Sequence, residues 1–203
     1  MTLSRREILR YLGYQNAEVP EEITAAIDRL EARVVSIAAP RTVKMKLQRD
    51  QVLWSGSTVC KALSGCKEAV LFAATLGASL DRELARAARE NMGDAVIMQA
   101  VATALIEEVC DELQRDTARE YQLFARPRIS PGYGDFPIDA QVQITRMLDT
   151  GRKIGLTLTD GLMLAPTKSV TALFGLSHEA VISNPPKCDE CRKKDCAFRT
   201  RQS

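Results

Sequence analysis

The feature that most constrains this chain is a ten-residue segment, Arg128–Pro137, which holds two glycines, two prolines and two aromatic residues. Pro131 fixes its own φ angle and directs the residue before it toward an extended conformation. Gly132 and Gly134 can adopt positive φ angles, which lets a ligand approach the backbone closely. The segment therefore predicts a tight loop with an accessible backbone.

Two side chains give this loop a chemistry of its own. Tyr133 lies between the two glycines and can offer a ring face and a hydroxyl group. Arg128 can offer a planar fork that matches a carboxylate or a phosphate. Together they suit a small ligand with an anionic end and a flat or cationic part. The alternative is a compact surface turn with a structural arginine, because Gly and Pro are common in turns of every kind.

A second segment, Met163–Phe174, has two short apolar runs on either side of Pro166-Thr167-Lys168, and this pattern predicts a hairpin. Between the two segments, Ile138 to Lys153 predicts a helix, which leads into Leu156–Asp160.

In this order, the segments resemble the activation domain of cobalamin-dependent methionine synthase, the module that binds S-adenosylmethionine. The similarity covers roughly residues 96 to 178. The large enzymes of the family have Pro and Cys in the second half of the loop, and they lack a cysteine cluster like the one at the end of this chain. The matching residues are Arg128-x-x-x-Gly132-Tyr133-x-x-x-Pro137, Gly155-Leu156-x-Leu158-Thr159, Met163-x-x-Pro166-x-x-Ser169-Val170 and Ser177-His178.

The resemblance implies a site for S-adenosylmethionine. Arg128 would bind the carboxylate of the ligand and Glu108 its amino group. Tyr133 would meet the sulfonium or the sugar, and backbone groups around Gly132 and Gly134 would hold the edge of the adenine. One further aromatic residue of the family, near the ligand, corresponds to Phe174 in this sequence.

Residues 94–121 form the longest predicted helix, and their apolar residues recur at intervals of four. Glu108 falls near the middle of this apolar face, and Glu112 falls closer to its end. A buried carboxylate needs a partner because an unpaired charge in the interior is costly. That partner is either an arginine of a neighbouring helix or the amino group of a ligand.

The resemblance also implies a role in cobalamin chemistry. In the family, cobalt that has oxidised is methylated again with S-adenosylmethionine and an electron from a reduced flavodoxin-type donor. Nothing in this chain resembles a cobalamin-binding module. The sequence therefore predicts a stand-alone reactivation module that acts on the cobalamin of a separate methionine synthase or another corrinoid methyltransferase. The alternative is a non-catalytic metal-binding protein, with an interaction or sensor role.

The last part of the chain contains a separate motif, Cys188-x-x-Cys191-x-x-x-x-Cys196, behind the linker Asn184–Lys187. This spacing is typical of metal ligands, and neighbouring Lys and Arg residues favour thiolates. Three thiols fit a zinc site completed by another residue, or an iron–sulfur cluster with one further ligand. The alternative is a tail with reactive thiols.

The length of 203 residues fits one domain with a small appendage. We expect a ligand-binding domain over residues 1–183, helical to about residue 40, followed by the linker and cysteine-rich tail over 184–203. The net charge of +2 gives no indication of a nucleic-acid or anionic membrane partner. The first residues lack the apolar core of a signal peptide, and Ala69–Ala78 is too short to span a bilayer, so a cytoplasmic location is expected.

The remaining patterns predict an α+β fold in which helices pack on an antiparallel sheet. The sheet is expected to form from the regions near residues 43, 70, 163 and 170. Further helices are predicted at about 5–12, 21–39, 57–63 and 80–90.

Overall fold

The computed structural model of the chain describes residues 3–14 and 18–180. The proposed boundary at residue 184 and the three cysteines of the tail lie outside these residues. The helices are α1 (Arg5–Tyr11), α2 (Glu21–Ile37), α3 (Ser57–Ala62), α4 (Ala78–Glu90), α5 (Met92–Tyr121), α6 (Ala140–Leu148) and α7 (Thr150–Ile154), and the strands are β1 (Arg41–Gln48), β2 (Glu68–Thr75), β3 (Phe124–Ala125), β4 (Thr157–Leu158), β5 (Leu164–Ala165) and β6 (Ser169–Ser177).

The main sheet is antiparallel and has the strand order β1-β2-β6-β3. Its centre is β2, in which every residue after the first is buried. The register places Phe72 opposite Lys44 on one side and Ala172 on the other. Beyond the short strand β3, Ile129 pairs with Leu173, so the chain follows β6 up to the start of the Arg128–Pro137 loop. The sheet edge thereby fixes where the loop begins.

Helices cover both faces of this sheet. Successive residues of a strand point to opposite faces, so one continuous apolar strand supplies two cores. On one face, Phe72 and Phe174 pack in a core shared with α1, α2, α4 and α5. On the other face, Leu71 and Leu173 pack in a core with α3, α6 and Phe136 of the loop. Each such fully buried side chain contributes about 1.5–3 kcal/mol. The predicted α+β class with an antiparallel sheet is confirmed.

Two predictions about the second half of the chain are wrong. The helix expected from 138 to 153 is divided into α6 and α7 at Asp149, whose φ of 53° is left-handed. The predicted hairpin over Met163–Phe174 is not a pair of neighbouring strands. Instead β5 pairs with β4 in a separate two-stranded sheet, and β6 joins β2 in the main sheet. The fourth strand of the main sheet is β3, which the sequence did not indicate.

The N-terminal predictions agree closely with the structure. Ser4 caps α1, and its hydroxyl accepts a hydrogen bond from the backbone N–H of Glu7 at 3.3 Å. Such a cap satisfies one of the free N–H groups at the start of a helix.

The long helix α5 begins two residues before the predicted start and ends at the predicted residue. Among the residues that the structure describes, no helix has the length and apolarity needed to cross a membrane.

Candidate functional site

The loop has the backbone that its glycines predict. Gly132 has a φ of 88° and Gly134 a φ of 60°. The loop closes on itself, because Gly132 N–H donates to the carbonyl of Phe136 at 2.8 Å and Phe136 N–H donates to that of Tyr133 at 3.0 Å. These two bonds close the loop between Gly132 and Phe136. The prediction that both glycines adopt positive φ is confirmed.

The loop is fastened to α3 by the residue that follows Gly134. The carboxylate of Asp135 accepts hydrogen bonds from the backbone N–H groups of Ser57 at 2.6 Å and Thr58 at 2.8 Å. Asp135 N–H donates in return to the hydroxyl of Thr58 at 3.2 Å. The hydrogen bonds of Thr58, then those of Ser57, hold the pKa of Asp135 far below its usual value. Asp135 therefore stays ionised and acts as a clamp.

Close packing at Phe136 and Gly134 further restrains the loop. Phe136 is 1% exposed, and its ring lies 5.6 Å from that of Trp54, measured between centroids. A Cβ atom at Gly134 would lie 2.3 Å from the Thr58 hydroxyl oxygen, closer than two such atoms can approach. Gly134 is thus required both by its backbone angle and by its neighbour.

Tyr133 is presented to solvent by this rigid loop. Its side chain is 43% exposed, and no described residue forms a hydrogen bond with its hydroxyl group. An exposed ring on a fixed backbone loses little entropy when a ligand packs against it. The side chain is therefore accessible to a ligand.

Arg128 is held by carboxylates of α5. Its guanidinium donates hydrogen bonds to Asp111, to Glu107 and, at 2.9 Å, to the side-chain oxygen of Gln114. The Arg128 side chain is only 10% exposed, whereas those of Glu107 and Asp111 are 41% and 48% exposed. Burial disfavours the charge of Arg128, but the hydrogen bond to Asp111 and the charge of Glu107 outweigh it and raise the pKa of Arg128.

This arrangement places one cation beneath two partly exposed anions at the surface. Such a group can bind the head of an α-amino acid, because the guanidinium matches a carboxylate and the acids match an ammonium group. The same hydrogen bonds would also serve an arginine with a purely structural role, which is the alternative that the sequence left open. We refer to Glu107, Asp111, Gln114 and Arg128 as the arginine cluster.

The predicted position of Glu108 is wrong. Glu108 is not in the middle of the buried face of α5, since its side chain is 27% exposed and pairs at 2.7 Å with Arg115, two turns along the same helix. The reason is geometric: residues four apart on an α-helix drift by about 40° per step, so a stripe traced at intervals of four turns away from the core. In the C-terminal half of α5 the buried residues are Val109, Cys110, Leu113 and Thr117.

Sequence reasoning missed Glu107 and Asp111, the two acids that contact Arg128. The signal was present, because α5 carries four acids in six residues and acids four apart lie on one face of a helix. This spacing separates Glu107 and Asp111 from Glu108 and Glu112. Which of these two helix faces contacts Arg128 depends on how the segment that carries Arg128 lies against α5.

Phe174 lies in the core and not at the surface. It is 0% exposed, and its ring packs edge-on against Phe72 with centroids 5.8 Å apart. Its side chain is on the sheet face covered by α5, the helix that also contacts Arg128. Because the ring of Phe174 has no exposed surface, the structure shows no place where a ligand could contact it directly.

Two surface grooves lie elsewhere on the fold. One of about 450 Å³ runs between α6 and β4 and includes Val142, Leu158 and Leu162. The other, of about 440 Å³, lies between β1 and the C-terminal half of α5. Neither groove is lined by Arg128 or Tyr133. No group of three or more metal-ligating side chains occurs in residues 3–14 and 18–180.

No model of a known protein family matches the sequence. No curated protein matches it either. Thirteen chains of solved structures do match the fold. One is the crystal structure of the MetH reactivation domain bound to AdoHcy, with a TM-score of 0.59 and 14% sequence identity over 88% of this chain and 75% of that one. At this identity the likeness shows that the two chains share a fold.

Proposed function

We propose that this chain is a reactivation module, which binds S-adenosylmethionine and supports the reductive methylation of cobalamin on a methionine synthase or another corrinoid methyltransferase. The observation that carries the proposal is the arginine cluster at the start of the Arg128–Pro137 loop, on a fold shared with a reactivation domain bound to AdoHcy. A cation with two acids and a fixed, exposed tyrosine are the groups that the amino-acid head and the sulfonium part of this ligand require.

Ligand binding would proceed by an exchange of ion pairs. The carboxylate of the ligand takes the place of one acid on Arg128, and the ammonium group of the ligand pairs with Glu107 or Asp111. The predicted role of Glu108 thus passes to these two residues, because they contact Arg128. The exchange conserves charge in the cluster, so it avoids leaving a buried cation without a partner.

The reaction needs little acid or base chemistry from the protein. A low-potential donor, for instance a flavodoxin-type protein, supplies one electron that reduces cob(II)alamin to cob(I)alamin. The cobalt then attacks the methyl carbon, a Co–C bond forms, and the C–S bond breaks. The electron pair of that bond stays on sulfur and yields neutral S-adenosylhomocysteine. The protein contributes by presenting the methyl group in line with the cobalt.

The cysteine motif of the tail fits the same proposal. Cys188, Cys191 and Cys196 would hold zinc or an iron–sulfur cluster, and a cluster could carry the electron that the reaction consumes. The location proposed for such a module is the cytoplasm, where the donor and the corrinoid enzymes operate.

Calorimetry tests the ligand site directly. S-adenosylhomocysteine should bind the wild-type protein, and Arg128→Ala should lower its affinity about ten- to a hundredfold, because a charged hydrogen bond contributes about 1.5–3 kcal/mol. Arg152→Ala is the matched control, since Arg152 forms an ion pair at the surface and is 84% exposed. Thermal unfolding of each variant separates lost binding from lost folding.

A second ligand separates the contribution of the arginine cluster to binding from that of the loop. 5′-Methylthioadenosine has the adenosine part but no amino-acid head, so its weaker binding should be equal in wild type and Arg128→Ala. If wild type and Arg128→Ala bind S-adenosylhomocysteine equally, Arg128 is a structural arginine. The sensor or interaction protein would then be the better interpretation.

A further inference from the structure

The cysteine motif at the end of the chain is one ligand short of a complete metal site. Cys188, Cys191 and Cys196 supply three thiolates, whereas a structural zinc ion takes four ligands and an iron–sulfur cluster usually takes four cysteines. We refer to these three residues as the tail cysteines, and they lie outside the residues that the structure describes. A further thiolate from the rest of the chain would complete the set.

The structure describes three other cysteines, and they differ in how open their sulfur atoms are. Cys66 and Cys110 are buried, whereas Cys60 is exposed on α3. A Cβ atom at Gly175 would lie 2.5 Å from Sγ of Cys66, so that sulfur lies against the backbone of β6. Zn–S bonds of about 2.3 Å place the sulfur atoms of a site about 4 Å apart, so a ligand sulfur needs open space on the metal side. Cys60 alone among these three meets that condition.

Cys60 also lies at the end of the main sheet from which the chain continues into the tail. A Cβ atom at Gly175 would lie 3.2 Å from the carbonyl oxygen of Ala62, so the last turn of α3 contacts β6 two residues before the strand ends. On a helix, the Cα atoms of Cys60 and Ala62 are about 5 Å apart. Cys188 follows Ala180, the last described residue, by eight residues, which can span at most about 26–29 Å. The tail cysteines are therefore within reach of Cys60.

The sulfur atom of Cys60 has a cationic neighbour. The guanidinium of Arg49 donates a long hydrogen bond to Sγ of Cys60, with 3.9 Å between nitrogen and sulfur. Arg49 is itself held at this end of the sheet, because its backbone N–H donates to the carbonyl of Lys67 at 2.9 Å. Four thiolates around Zn²⁺ leave a site with net negative charge, and a cation that donates to a ligand sulfur stabilises such a site.

The only histidine of the chain, His178, is the other exposed candidate, but it lies on the opposite face of the sheet. The hydrogen bond from Lys46 is the main cause of the lowered pKa of Glu68, and the charge of His178 also contributes, so the three groups are close together. Glu68 points to the same face as Val70, two residues further along β2. Val70 belongs to the core shared with α5, whereas α3 packs in the core on the other face. The position of the candidates thus favours Cys60.

We propose that Cys60 is the fourth ligand of a metal site formed with the tail cysteines of the same chain, and that this site fixes the tail against α3. The proposal rests on the metal site of the proposed function and adds to it a ligand from the folded domain. Four thiolates suit zinc and a four-iron cluster alike. Analysis of zinc, iron and acid-labile sulfide in protein purified without oxygen distinguishes the two.

Labelling of the Cys60 thiol tests its contact with the metal in the full-length protein. Reduced, metal-free protein is treated with iodoacetamide in the presence and absence of zinc, and the modified cysteines are identified by mass spectrometry. Cys60 should react without zinc, and zinc should slow its reaction about tenfold or more, because a metal-bound thiolate is a poor nucleophile. In a variant with all three tail cysteines changed to Ser, zinc should give no protection. Equal labelling of wild-type Cys60 with and without zinc, or protection in the tail variant, would overturn the proposal.

Cobalt(II) in place of zinc counts the thiolates, since the absorbance from thiolate-to-cobalt charge transfer rises with their number. Cys60→Ser should lower this absorbance by about a quarter, as four thiolates become three. It should also weaken zinc binding by more than the roughly 10- to 100-fold that loss of an outer-shell partner costs, the loss expected for Arg49→Gln. Cys66→Ser is the matched control and should keep the absorbance and the zinc affinity of wild type.

The outcomes separate this proposal from the proposed function. An unchanged absorbance in Cys60→Ser, or a loss in Cys66→Ser or His178→Ala instead, would overturn the assignment of Cys60 and leave the metal site of the tail in place. Wild-type protein that binds neither zinc, cobalt nor iron would overturn that metal site and Cys60 with it. Calorimetry with S-adenosylhomocysteine on the same preparations tests the ligand site of the proposed function independently of the metal.

Discussion

The contact between Gly134 and Thr58 allows a quantitative test of the loop. An alanine at position 134 meets two penalties. A residue with a side chain costs about 1–2 kcal/mol in the left-handed region, where Gly134 has a φ of 60°. The new Cβ atom would also lie 2.3 Å from the hydroxyl oxygen of Thr58, and relief of such overpacking costs about 1–3 kcal/mol. Gly134→Ala should therefore lower the free energy of unfolding by about 2–5 kcal/mol.

Thr58→Ala removes the atom responsible for the second penalty. On its own this change should cost about 0.5–1.5 kcal/mol, because it removes the hydrogen bond from Asp135 N–H. In the double variant the nearest remaining atom of residue 58 is its Cβ at 3.4 Å from the new methyl group, which is an ordinary contact. The double variant should thus lose about 1.5–3.5 kcal/mol. The two changes should couple by about 1–3 kcal/mol, the cost of the clash.

Equilibrium unfolding in urea measures all four proteins. Trp54 is the only tryptophan of the chain, it is 8% exposed, and it packs on Phe136 of the same loop. Its fluorescence therefore reports the loop and the global transition together, and the m-values show whether the unfolding reaction is the same in each variant. Additive effects, within about 0.5 kcal/mol, would contradict the geometry, because independent sites add in this way. The double variant should also recover S-adenosylhomocysteine binding that Gly134→Ala loses.

Two further predictions follow from the clamp and the tail. Asp135 has a lowered pKa in the folded chain, so its stabilising effect is complete above its unfolded value of about 3.9 and is lost as the pH falls toward the folded value. The stability of Asp135→Asn should therefore decrease less steeply below about pH 4 than that of wild type. Thermal unfolding of both proteins between pH 2 and 6 measures this, and the same pH profile in both would show that Asp135 does not act as the clamp. Protein purified without oxygen should contain zinc or iron that replacement of Cys188, Cys191 and Cys196 by Ser removes, and metal analysis that finds neither element would make these cysteines candidates for thiol redox chemistry.

The sequence was informative where one element determines its own structure. The capping pattern at Ser4, the apolar run of β2 and the length of α5 depend on residues that are close together in the chain, and these predictions hold. Strand pairing depends on the whole fold. The segment over Met163–Phe174 has the pattern of a hairpin, but β6 gains more by filling the centre of the main sheet between β2 and β3 than by pairing with a neighbour two residues long.

The same distinction explains the site. The positive φ angles of the loop are a local property, and two glycines within three residues made them predictable. The partners of Arg128 are a tertiary property, because they depend on the rotation of α5 against the sheet edge. A rotation of one residue, about 100°, decides whether Glu107 or Glu108 meets the guanidinium. Amphipathic periodicity does not resolve this angle in a helix whose N-terminal half is buried almost all round.

The contacts of Arg128 bear on which ligands the proposed site would accept. Arg128 is already ordered by three hydrogen-bonding side chains, so a ligand carboxylate does not bear the entropy cost of fixing a long side chain. The same partners impose a condition. A ligand with a carboxylate and no ammonium group would place three anions around one cation in a site where Arg128 is 10% exposed, and the added repulsion would be weakly screened. A ligand with both groups returns the cluster to balance, because its cation pairs with the acid that its anion displaced. The cluster should therefore select for a zwitterionic head, and the adenosine part should contribute its affinity through the loop, independently of Arg128.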